Sequence, residues 1–435
     1  MSKSATTTAH LDEDESVKIL WVKAGGLVPP DIGGRIRSYC LLKELARSHS
    51  ITLFTFYAAQ PDDAHALLDG QFSRVVRWPL QLPPPRSVAE VASYARYALS
   101  GLPYSVAKYC RPPVVSGFRE LLGTEQFDVI VCDFVVAGGV IPWTAELCPK
   151  VLFTHNVEAL IWKRHYQLAR NPFWKAVCWR EYHAMARLER RYLQLADHVL
   201  TVSETDRHFF ARFIHPAKIT VIPTGVDVNY FQPSAETEKP NSLVFTGAMD
   251  WLANEDAIIY FAERILPLVR RQVSEASLWI VGRRPSRKVK ALQARFSGVY
   301  VTGKVEDIRP YVQQASVFVV PLRVGSGTRL KIFEAMAMSK AVVATSVGAE
   351  GLPVTHTQNI LLADKPDEFA RSIVMLLRDR ATRERLGQAA RDLVARNYSW
   401  ASAGHHLDSV LREVVTNASS SLRSRAPSDS FRHDP

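Results

Sequence analysis

A glycine loop, two basic residues and one carboxylate stand together in the segment GSGTRLKIFEAMA, residues 325–337. Gly325 and Gly327 let the backbone approach a ligand closely, because no Cβ stands in the way. The helix predicted to follow offers unpaired N–H groups and the positive end of its dipole to a diphosphate. Arg329 and Lys331 add charge suited to phosphate. The segment therefore predicts a phosphate-binding helix start.

The carboxylate of Glu334 in the same segment needs a different partner, because phosphate groups would repel it. A ribose offers two neighbouring hydroxyls, and one ionised carboxylate can accept hydrogen bonds from both. The pattern thus indicates a nucleotide whose ribose is held by Glu334. The alternative is a solvated glutamate on the polar face of an amphipathic helix.

Three further segments place candidate residues where a strand ends or a helix begins. VLFTHNVE puts His155 at the end of a buried strand, where side chains face the ligand crevice of a parallel sheet. PPDIGGRIR puts Gly33 and Gly34 at a helix entrance, and VGRRPSRK offers Arg283 and Arg284. The alternatives are that His155 is a structural histidine, that the Gly33–Gly34 segment is a plain strand-to-helix turn, and that the segment of Arg283 and Arg284 is a solvated basic loop.

Two rounds of alternating strands and helices must position these residues. Near-continuous apolar runs such as FDVIVCDF and PKVLFTHN predict strands that are buried on both faces of a parallel sheet. The alternation stops at QPSAETEKPNS, residues 232–242, and restarts at SLVFTGAM. The pattern predicts an α/β protein with two doubly wound domains of similar architecture.

The same patterns predict the domain boundaries. The segments are an acidic disordered tail at 1–16, an N-terminal domain at 17–231, a linker at 232–242, a C-terminal domain at 243–395, a crossover helix that packs on the N-terminal domain at 396–416, and a disordered tail at 417–435.

Composition and charge narrow the classes of function. The chain has 435 residues, 47% apolar and 22% charged, which is typical of a globular protein with two domains. We find neither a signal peptide at the N-terminus nor an apolar run long enough to cross a bilayer. Five scattered cysteines without CxxC spacing fit the cytoplasm, and neither disulfides nor zinc. The net charge of +11 predicts an anionic ligand, an anionic membrane surface or both, while no motif supports nucleic acid.

The motifs VGSGTRLKIFEAMA, SKAVVATSVGAEGL, VIPTGVDVNYF, FTGAMDW, VTGKVEDI and HNVE together resemble the family 4 glycosyltransferases, over most of residues 17–413. The branch that the chain resembles is the sugar transferases of bacterial polysaccharide and exopolysaccharide clusters. The resemblance implies the GT-B fold, in which two Rossmann-like domains face each other. It also implies a cytoplasmic enzyme of the hexosyltransferase type, which transfers a sugar from a nucleotide-diphosphate donor to a hydroxyl of a glycan, glycolipid or small molecule. Retention of configuration and no metal or other cofactor are expected.

The resemblance also implies roles for residues. Glu334 falls on the second acid of a Glu-x7-Glu pattern, which holds the ribose, and His155 falls beside the transferred sugar. The loop of Gly33 and Gly34, with Arg37, approaches the donor phosphate or the acceptor. The predicted catalytic residues are His155, Arg329 and Lys331, and the predicted donor-binding residues are Glu334, Ser326, Gly327, Thr328, Gly247, Arg283, Gly303, Lys304 and Val305.

Two departures from the family pattern keep alternatives open. Ser326 stands where many members have an acid that contacts the sugar, and Ala248 and Ala253 stand where many have a basic pair on the diphosphate. The charge must then come from Arg329, Lys331, Arg283 or Arg284. One alternative is a non-catalytic protein that binds nucleotide-sugars. The other is a sugar-nucleotide 2-epimerase, although the first domain shows no acidic set suited to that reaction.

A basic and aromatic segment at 161–195 contains Trp162, Trp174 and Trp179. Helices of this composition bind anionic lipid, so the segment predicts peripheral contact with the inner face of the membrane. The alternative is that the tryptophans pack in the core of the domain.

Overall fold

The computed structural model describes residues 16–30, 33–59, 64–84, 87–169, 171–234, 237–324 and 329–425. Residues 1–15 of the predicted acidic tail, residues 325–328 of the glycine loop and residues 426–435 lie outside the described residues.

The N-terminal domain contains one parallel sheet with helices on both faces. Its strands are β1 (Lys18–Ala24), β2 (Ser50–Ala58), β3 (Arg74–Leu80), β4 (Val129–Asp133), β5 (Lys150–Phe153), β6 (His198–Thr201) and β7 (Ile219–Val221). Its helices are α1 (Gly33–Leu45), α2 (Val88–Ala98), α3 (Tyr104–Ala107), α4 (Pro112–Thr124), α5 (Glu158–Leu168), α6 (Pro172–Leu195) and α7 (Glu204–Phe210), with 3₁₀ turns at Ala64–Leu68, Val135–Val140 and Pro216–Lys218.

The C-terminal domain has the same design. Its strands are β8 (Ser242–Thr246), β9 (Ser277–Val281), β10 (Val299–Gly303), β11 (Val317–Val320), β12 (Val342–Ala344) and β13 (Leu361–Leu362). Its helices are α8 (Leu252–Tyr260), α9 (Leu266–Arg270), α10 (Arg287–Arg295), α11 (Arg309–Gln314), α12 (Leu330–Ala337), α13 (Pro366–Arg378) and α14 (Arg380–Asn397), with a π turn at Phe261–Ile265 between α8 and α9. The last helix of the described residues is α15 (Trp400–Arg425).

The residues of β1 show why these apolar runs form buried parallel strands. Ile19 and Trp21 belong to one hydrophobic cluster, whereas Leu20 and Val22 belong to another. Because alternate side chains of a strand point to opposite faces, the sheet is covered on both sides. The sequence prediction of a sheet buried on both faces is therefore confirmed.

The order of the strands locates the crevice of each domain. The first sheet has the order β3-β2-β1-β4-β5-β6-β7, and the second has the order β10-β9-β8-β11-β12-β13. All pairs are parallel. In the first sheet β2 and β3 lie on one side of β1 and β4 begins the other side, and in the second sheet β11 lies on the other side of β8 from β9, so the order of strand addition reverses between β1 and β4 and between β8 and β11. Ligands of such sheets bind at this reversal, outside the carboxyl ends of the strands.

The C-terminal helix α15 packs on the N-terminal domain. Leu407 and Leu411 of α15 are fully buried in one hydrophobic cluster with Leu41 of α1. At the rim of this contact, Nε2 of His49 lies 2.6 Å from Oδ1 of Asp408. The helix thus returns from the second domain to the first and connects them.

This helix is longer than the sequence analysis predicted. Residues 417–425 were predicted to be part of a disordered tail, but α15 continues through them to Arg425. The segment NASSSLRSR contains no proline or glycine that would end a helix, which explains the difference.

Within the described residues, none of the helices combines the length and the apolar character that a membrane span requires.

Candidate functional site

A cleft of about 840 Å³ lies between the two domains. Its walls come from segments that follow β1, β4 and β5 in the first domain and β8, β9, β10 and β11 in the second. These segments follow the carboxyl ends of strands at or near the two points where the order of strand addition reverses. The predicted site residues that line this cleft are Gly33, Gly34, Arg37, His155, Gly247, Arg283, Lys304, Val305, Arg329, Lys331 and Glu334.

The remaining predicted site residues do not line the described cleft. Ser326, Gly327 and Thr328 lie outside the described residues. Gly303 lies instead in a separate shallow depression with Lys290 and residues near it, because the ladder between β9 and β10 is interrupted there and Gly303 adopts φ 72°. Its carbonyl nevertheless accepts from the backbone N–H of Gly282, a residue of the cleft wall, at 3.2 Å, so a role of Gly303 in donor binding stays a prediction.

Two helix starts face each other across the cleft. A Cβ placed on Gly33, the first residue of α1, would lie 3.6 Å from a methyl carbon of Leu330, the first residue of α12. Unpaired N–H groups and the positive ends of both helix dipoles therefore converge on the same space. This arrangement favours an anionic ligand.

A buried polar cluster supports His155 from behind. Nε2 of His155 lies 2.9 Å from one carboxylate oxygen of Asp133, and Nζ of Lys23 lies 3.1 Å from the other. The indole N–H of Trp21 also donates to Asp133, at 2.9 Å. Burial alone would raise the pKa of Asp133, but Lys23 and His155 hold that pKa well below its usual range. Asp133 is therefore ionised.

The ring of His155 is neutral, and both of its nitrogens are buried just behind the wall of the cleft. Burial lowers the pKa of His155 to about 3, although Asp133 opposes this shift. The contact of 2.9 Å between Nε2 and the carboxylate of Asp133 favours the tautomer with its proton on Nε2, although the two atoms are not aligned as a hydrogen bond. Among the described residues, Nδ1 has no hydrogen-bond partner. It lies 3.6 Å from the position that a Cβ on Gly34 would occupy, at the cleft wall.

Phe134 explains why a glycine is needed at position 34. Its ring lies 4.2 Å from the ring of His155, centroid to centroid, and Phe134 adopts a positive φ of 72°. A Cβ on Gly34 would approach this ring to 3.1 Å. Glycine at position 34 therefore lets the start of α1 lie close to His155 without displacing the ring of Phe134, which a Cβ would push back by a few tenths of an ångström.

Arg37 of α1 is buried on the same wall of the cleft. Its guanidinium donates to the hydroxyl of Thr224, at 3.0 Å from Nε. Burial lowers the pKa of Arg37 to about 10, so the group is still protonated at neutral pH. The cation is thus held in place by the first domain.

The opposite wall carries two cations at the start of α12. The guanidinium of Arg329 lies 5.3 Å from the ring centroid of Trp251. The ammonium of Lys331 donates to Oδ1 of Asn254 at 2.9 Å and lies 4.1 Å from the ring centroid of Phe245. Burial lowers the pKa of Arg329 to about 10, and burial together with the charge of Arg329 lowers the pKa of Lys331 to about 7.

Glu334 lies one turn further along α12. Its side chain lines the cleft and makes no hydrogen bond or ion pair to another side chain of the described residues. Burial raises the pKa of Glu334 to about 7, although the charge of Lys331 opposes the shift. A polar ligand would therefore find an unoccupied acceptor here.

The other basic candidates differ in position. Arg283 lines the cleft, and its carbonyl accepts from the backbone N–H of Met249 at 2.9 Å. Arg284 does not line the cleft: it is exposed and forms an ion pair with Asp250 at 3.2 Å. Arg283 is therefore the candidate from this loop that can contact a ligand.

Sequence reasoning missed several residues of the site. Asp133, Lys23, Trp251 and Asn254 were not predicted. Asp133 had a usable signal, since it is the acid that ends an otherwise apolar strand, β4, whose neighbour β5 ends just before His155. Asn254 had none, because its contact joins residues that are 77 positions apart.

No three His, Cys, Asp or Glu side chains of the described ranges are grouped so as to hold a metal ion.

Comparisons with known proteins agree with this geometry. The family profile described as Glycosyltransferase Family 4 matches residues 33–230, and the profile described as Glycosyl transferases group 1 matches residues 240–379. An uncharacterized 44.6 kDa protein of the cps region of Klebsiella pneumoniae is 21% identical over 393 residues, which is 88% of this chain and 96% of that protein.

A GDP-mannose-dependent alpha-(1-6)-phosphatidylinositol monomannoside mannosyltransferase of Mycolicibacterium smegmatis is 25% identical over 417 residues, covering 88% of this chain and 96% of that protein. Among solved structures, sucrose-phosphate synthase from Thermosynechococcus elongatus superposes with a TM-score of 0.70 at 20% identity, over 92% of this chain and 99% of that one. The predicted GT-B fold is confirmed, and the chain belongs to the family 4 glycosyltransferases.

Proposed function

We propose that this glycosyltransferase transfers a hexose from a nucleotide-diphosphate sugar to a hydroxyl of a bacterial glycan or glycolipid, with retention of configuration and without a metal ion. The observation that carries this proposal is the grouping of Arg329, Lys331 and Glu334 at the start of α12, opposite His155 and the start of α1. Cations and helix N–H groups suit a diphosphate, and the two remaining polar side chains suit hydroxyls.

The donor's diphosphate would lie between the two helix starts. Negative charge develops on this group as the bond to the sugar breaks, so fixed cations stabilise the transition state more than the ground state. Arg329, Lys331 and Arg283 line this part of the cleft. They would supply the charge that the family's usual pair supplies elsewhere, since Ala248 and Ala253 stand in those places.

Glu334 and His155 would hold the two ends of the donor. The carboxylate of Glu334 has open acceptor positions for the ribose hydroxyls. The open nitrogen of His155 would accept a hydrogen bond from a hydroxyl of the transferred sugar or of the acceptor. Contacts at both ends of the donor would orient the sugar carbon that reacts, which is the contribution of orientation to the rate.

Retention of configuration at the transferred sugar is supported by the residues of the first domain that line the cleft. The described residues of the first domain that line the cleft include no carboxylate: they are Gly33, Gly34, Ile36, Arg37, Phe134, His155 and Asn156. We propose that an oxygen of the donor's own phosphate takes the proton of the incoming hydroxyl. The same observation does not favour the 2-epimerase, whose chemistry needs acid and base side chains on that side.

A lipid-linked acceptor is supported by the surface of α6. Phe173, Trp174 and Trp179 are 74%, 45% and 52% exposed, whereas Trp162 packs partly against the core. Exposed aromatic rings beside basic side chains are typical of proteins that lie on anionic lipid. The mycobacterial relative named above is described as acting on a lipid-linked sugar, which agrees with a glycolipid acceptor.

The test is incubation of the protein with a panel of UDP- and GDP-sugars, followed by measurement of nucleotide release. Release by the wild type and its loss in the variants Arg329→Ala and Lys331→Ala are expected, with a fall in rate on the order of 10²–10³ for each. Arg295→Ala is the matched control, because this arginine is exposed and pairs with Glu263, and neither residue lines the cleft. An epimerised donor without release would support the epimerase, and binding without turnover would support the non-catalytic alternative.

A further inference from the structure

Asn254 connects two elements at the floor of the cleft. It lies in the first turn of α8 and is only 3% exposed. Its Oδ1 accepts from the ammonium of Lys331 at 2.9 Å, and its Nδ2 donates to the carbonyl of Ala248 at 2.8 Å. An ammonium can only donate and a carbonyl can only accept. A side-chain amide is therefore suited to join both.

The ammonium of Lys331 is confined by its surroundings. A Cβ on Gly247 would lie 2.7 Å from this nitrogen and equally close to Nδ2 of Asn254. The ring of Phe245 lies 4.1 Å from the nitrogen. The lysine therefore loses its rotamer freedom when the protein folds and not when a ligand binds. Such a side chain is preorganised.

The start of α8, which contacts Lys331 through Asn254, lacks basic residues of its own. Ala253 is buried in the hydrophobic cluster that contains Ile332 and Phe333 of α12, so this position packs α8 against α12 and does not face the cleft. Asn254 is the next residue, and it reaches the amine that α12 brings in. The charge thus comes from α12, while its position is set from α8.

We propose that Asn254 is a positioning residue that fixes the ammonium of Lys331 at the end of β8, where it faces the donor's diphosphate. This inference rests on the proposed function. Trp251, at the start of the same helix, lies under Arg329 in a similar way and gives a second example of a neutral residue that supports a cation of α12.

The test measures kcat/KM for nucleotide-sugar hydrolysis or transfer, and the affinities of UDP and GDP against those of uridine and guanosine. Asn254→Ala is expected to lower kcat/KM and the affinity for the active nucleoside diphosphate by about 10- to 100-fold, the range for losing a hydrogen bond to a charged group. The affinity for the bare nucleoside should not change. Leu252→Ala is the matched control, since Leu252 lies in the same turn and is 72% exposed.

A double variant separates positioning from a general structural role. Because Asn254 acts through Lys331, Asn254→Ala combined with Lys331→Ala should be no less active than Lys331→Ala alone. Losses that multiply would overturn the inference, and so would unchanged kinetics of Asn254→Ala in an active enzyme. A wild type that neither binds nor turns over any donor would instead overturn the proposed function itself.

Asn254→Asp provides a variant of the same shape if Asn254→Ala does not fold. The added carboxylate would raise the pKa of Lys331, because an opposite charge favours the ammonium. The other charged groups that face this amine, Arg329 and Glu334, are unchanged. The alkaline limb of the pH–rate profile is expected to move to higher pH. A limb that stays where the wild type has it would overturn the inference.

Discussion

Nε2 of His155 lies 2.9 Å from Oδ1 of Asp133, and both side chains are almost completely buried at the carboxyl ends of β5 and β4. Lys23, near the end of the neighbouring strand β1, completes the cluster at 3.1 Å from the other carboxylate oxygen. Three adjacent strands thus place one ion pair directly behind the histidine of the cleft. Asp133 thus contacts both the histidine of the cleft and the buried ammonium of Lys23.

Asp133→Asn is therefore expected to destabilise the protein. The ammonium of Lys23 would stay buried without its counter-ion, and breaking a buried pair by removing one partner typically costs about 3–5 kcal/mol. The measurement is the free energy of unfolding in urea at pH 7. The double variant Lys23→Met, Asp133→Asn is the control, since it removes both charges and should recover much of the loss. A single variant as stable as the wild type would contradict this account.

Much of the site could be predicted from the sequence because its residues stand next to recognisable boundaries. His155 ends a strand, and Arg329, Lys331 and Glu334 open a helix after a glycine loop, so each position follows from the local pattern. The two doubly wound sheets follow in the same way, from apolar runs that alternate with amphipathic helices.

The rest depends on tertiary contacts. The amide of Asn254 meets Lys331 only after α8 packs against α12, and nothing in the local sequence shows which face the side chain takes. The register shift between β9 and β10 at Gly303 is likewise invisible in the local sequence, although Lys304 and Val305, which follow it, line the cleft as predicted.

Glu334→Ala is expected to weaken binding of the nucleotide-sugar without changing the fold. The ribose would lose hydrogen bonds to a charged acceptor, worth roughly 1.5–3 kcal/mol. Calorimetric titration with the active donor measures this loss. Glu306→Ala is a suitable control, because Glu306 directly follows Val305, which lines the cleft, but does not line the cleft itself. Equal donor affinity of Glu334→Ala and the wild type would exclude the ribose role.

The binding of nucleoside diphosphates is expected to weaken as the pH rises above about 7. Burial lowers the pKa of Lys331 to about 7, so its ammonium is present below this pH and is lost above it. Lys331→Arg keeps its charge at every pH in this range and should reduce the dependence to the part that comes from Glu334, whose pKa is raised by burial to about 7 as well. The measurement is the dissociation constant between pH 7 and 9. The same slope in both proteins would show that another group titrates.

Removal of divalent ions is expected to leave activity unchanged. Arg329, Lys331 and Arg283 line the cleft beside the start of α12, so fixed positive charge is already available for the departing diphosphate. The protein would be treated with EDTA, desalted and assayed with and without added Mg²⁺ or Mn²⁺. A strict requirement for either ion would contradict the proposed metal-independent reaction.

The last prediction concerns the exposed aromatic surface of α6. If Phe173, Trp174 and Trp179 contact lipid, the protein should sediment with vesicles that contain anionic phospholipid, and less of it should sediment as salt rises. The reason is that charges near a surface are screened over about 8–10 Å at physiological ionic strength. Combining Trp174→Ala with Trp179→Ala should reduce sedimentation further, because apolar area that enters the interface is lost. Leu67→Ala is the control, since Leu67 is even more exposed, at 73%, but lies in a 3₁₀ turn elsewhere on the domain. Equal binding to neutral vesicles, or none to either, would show that these rings are ordinary surface residues.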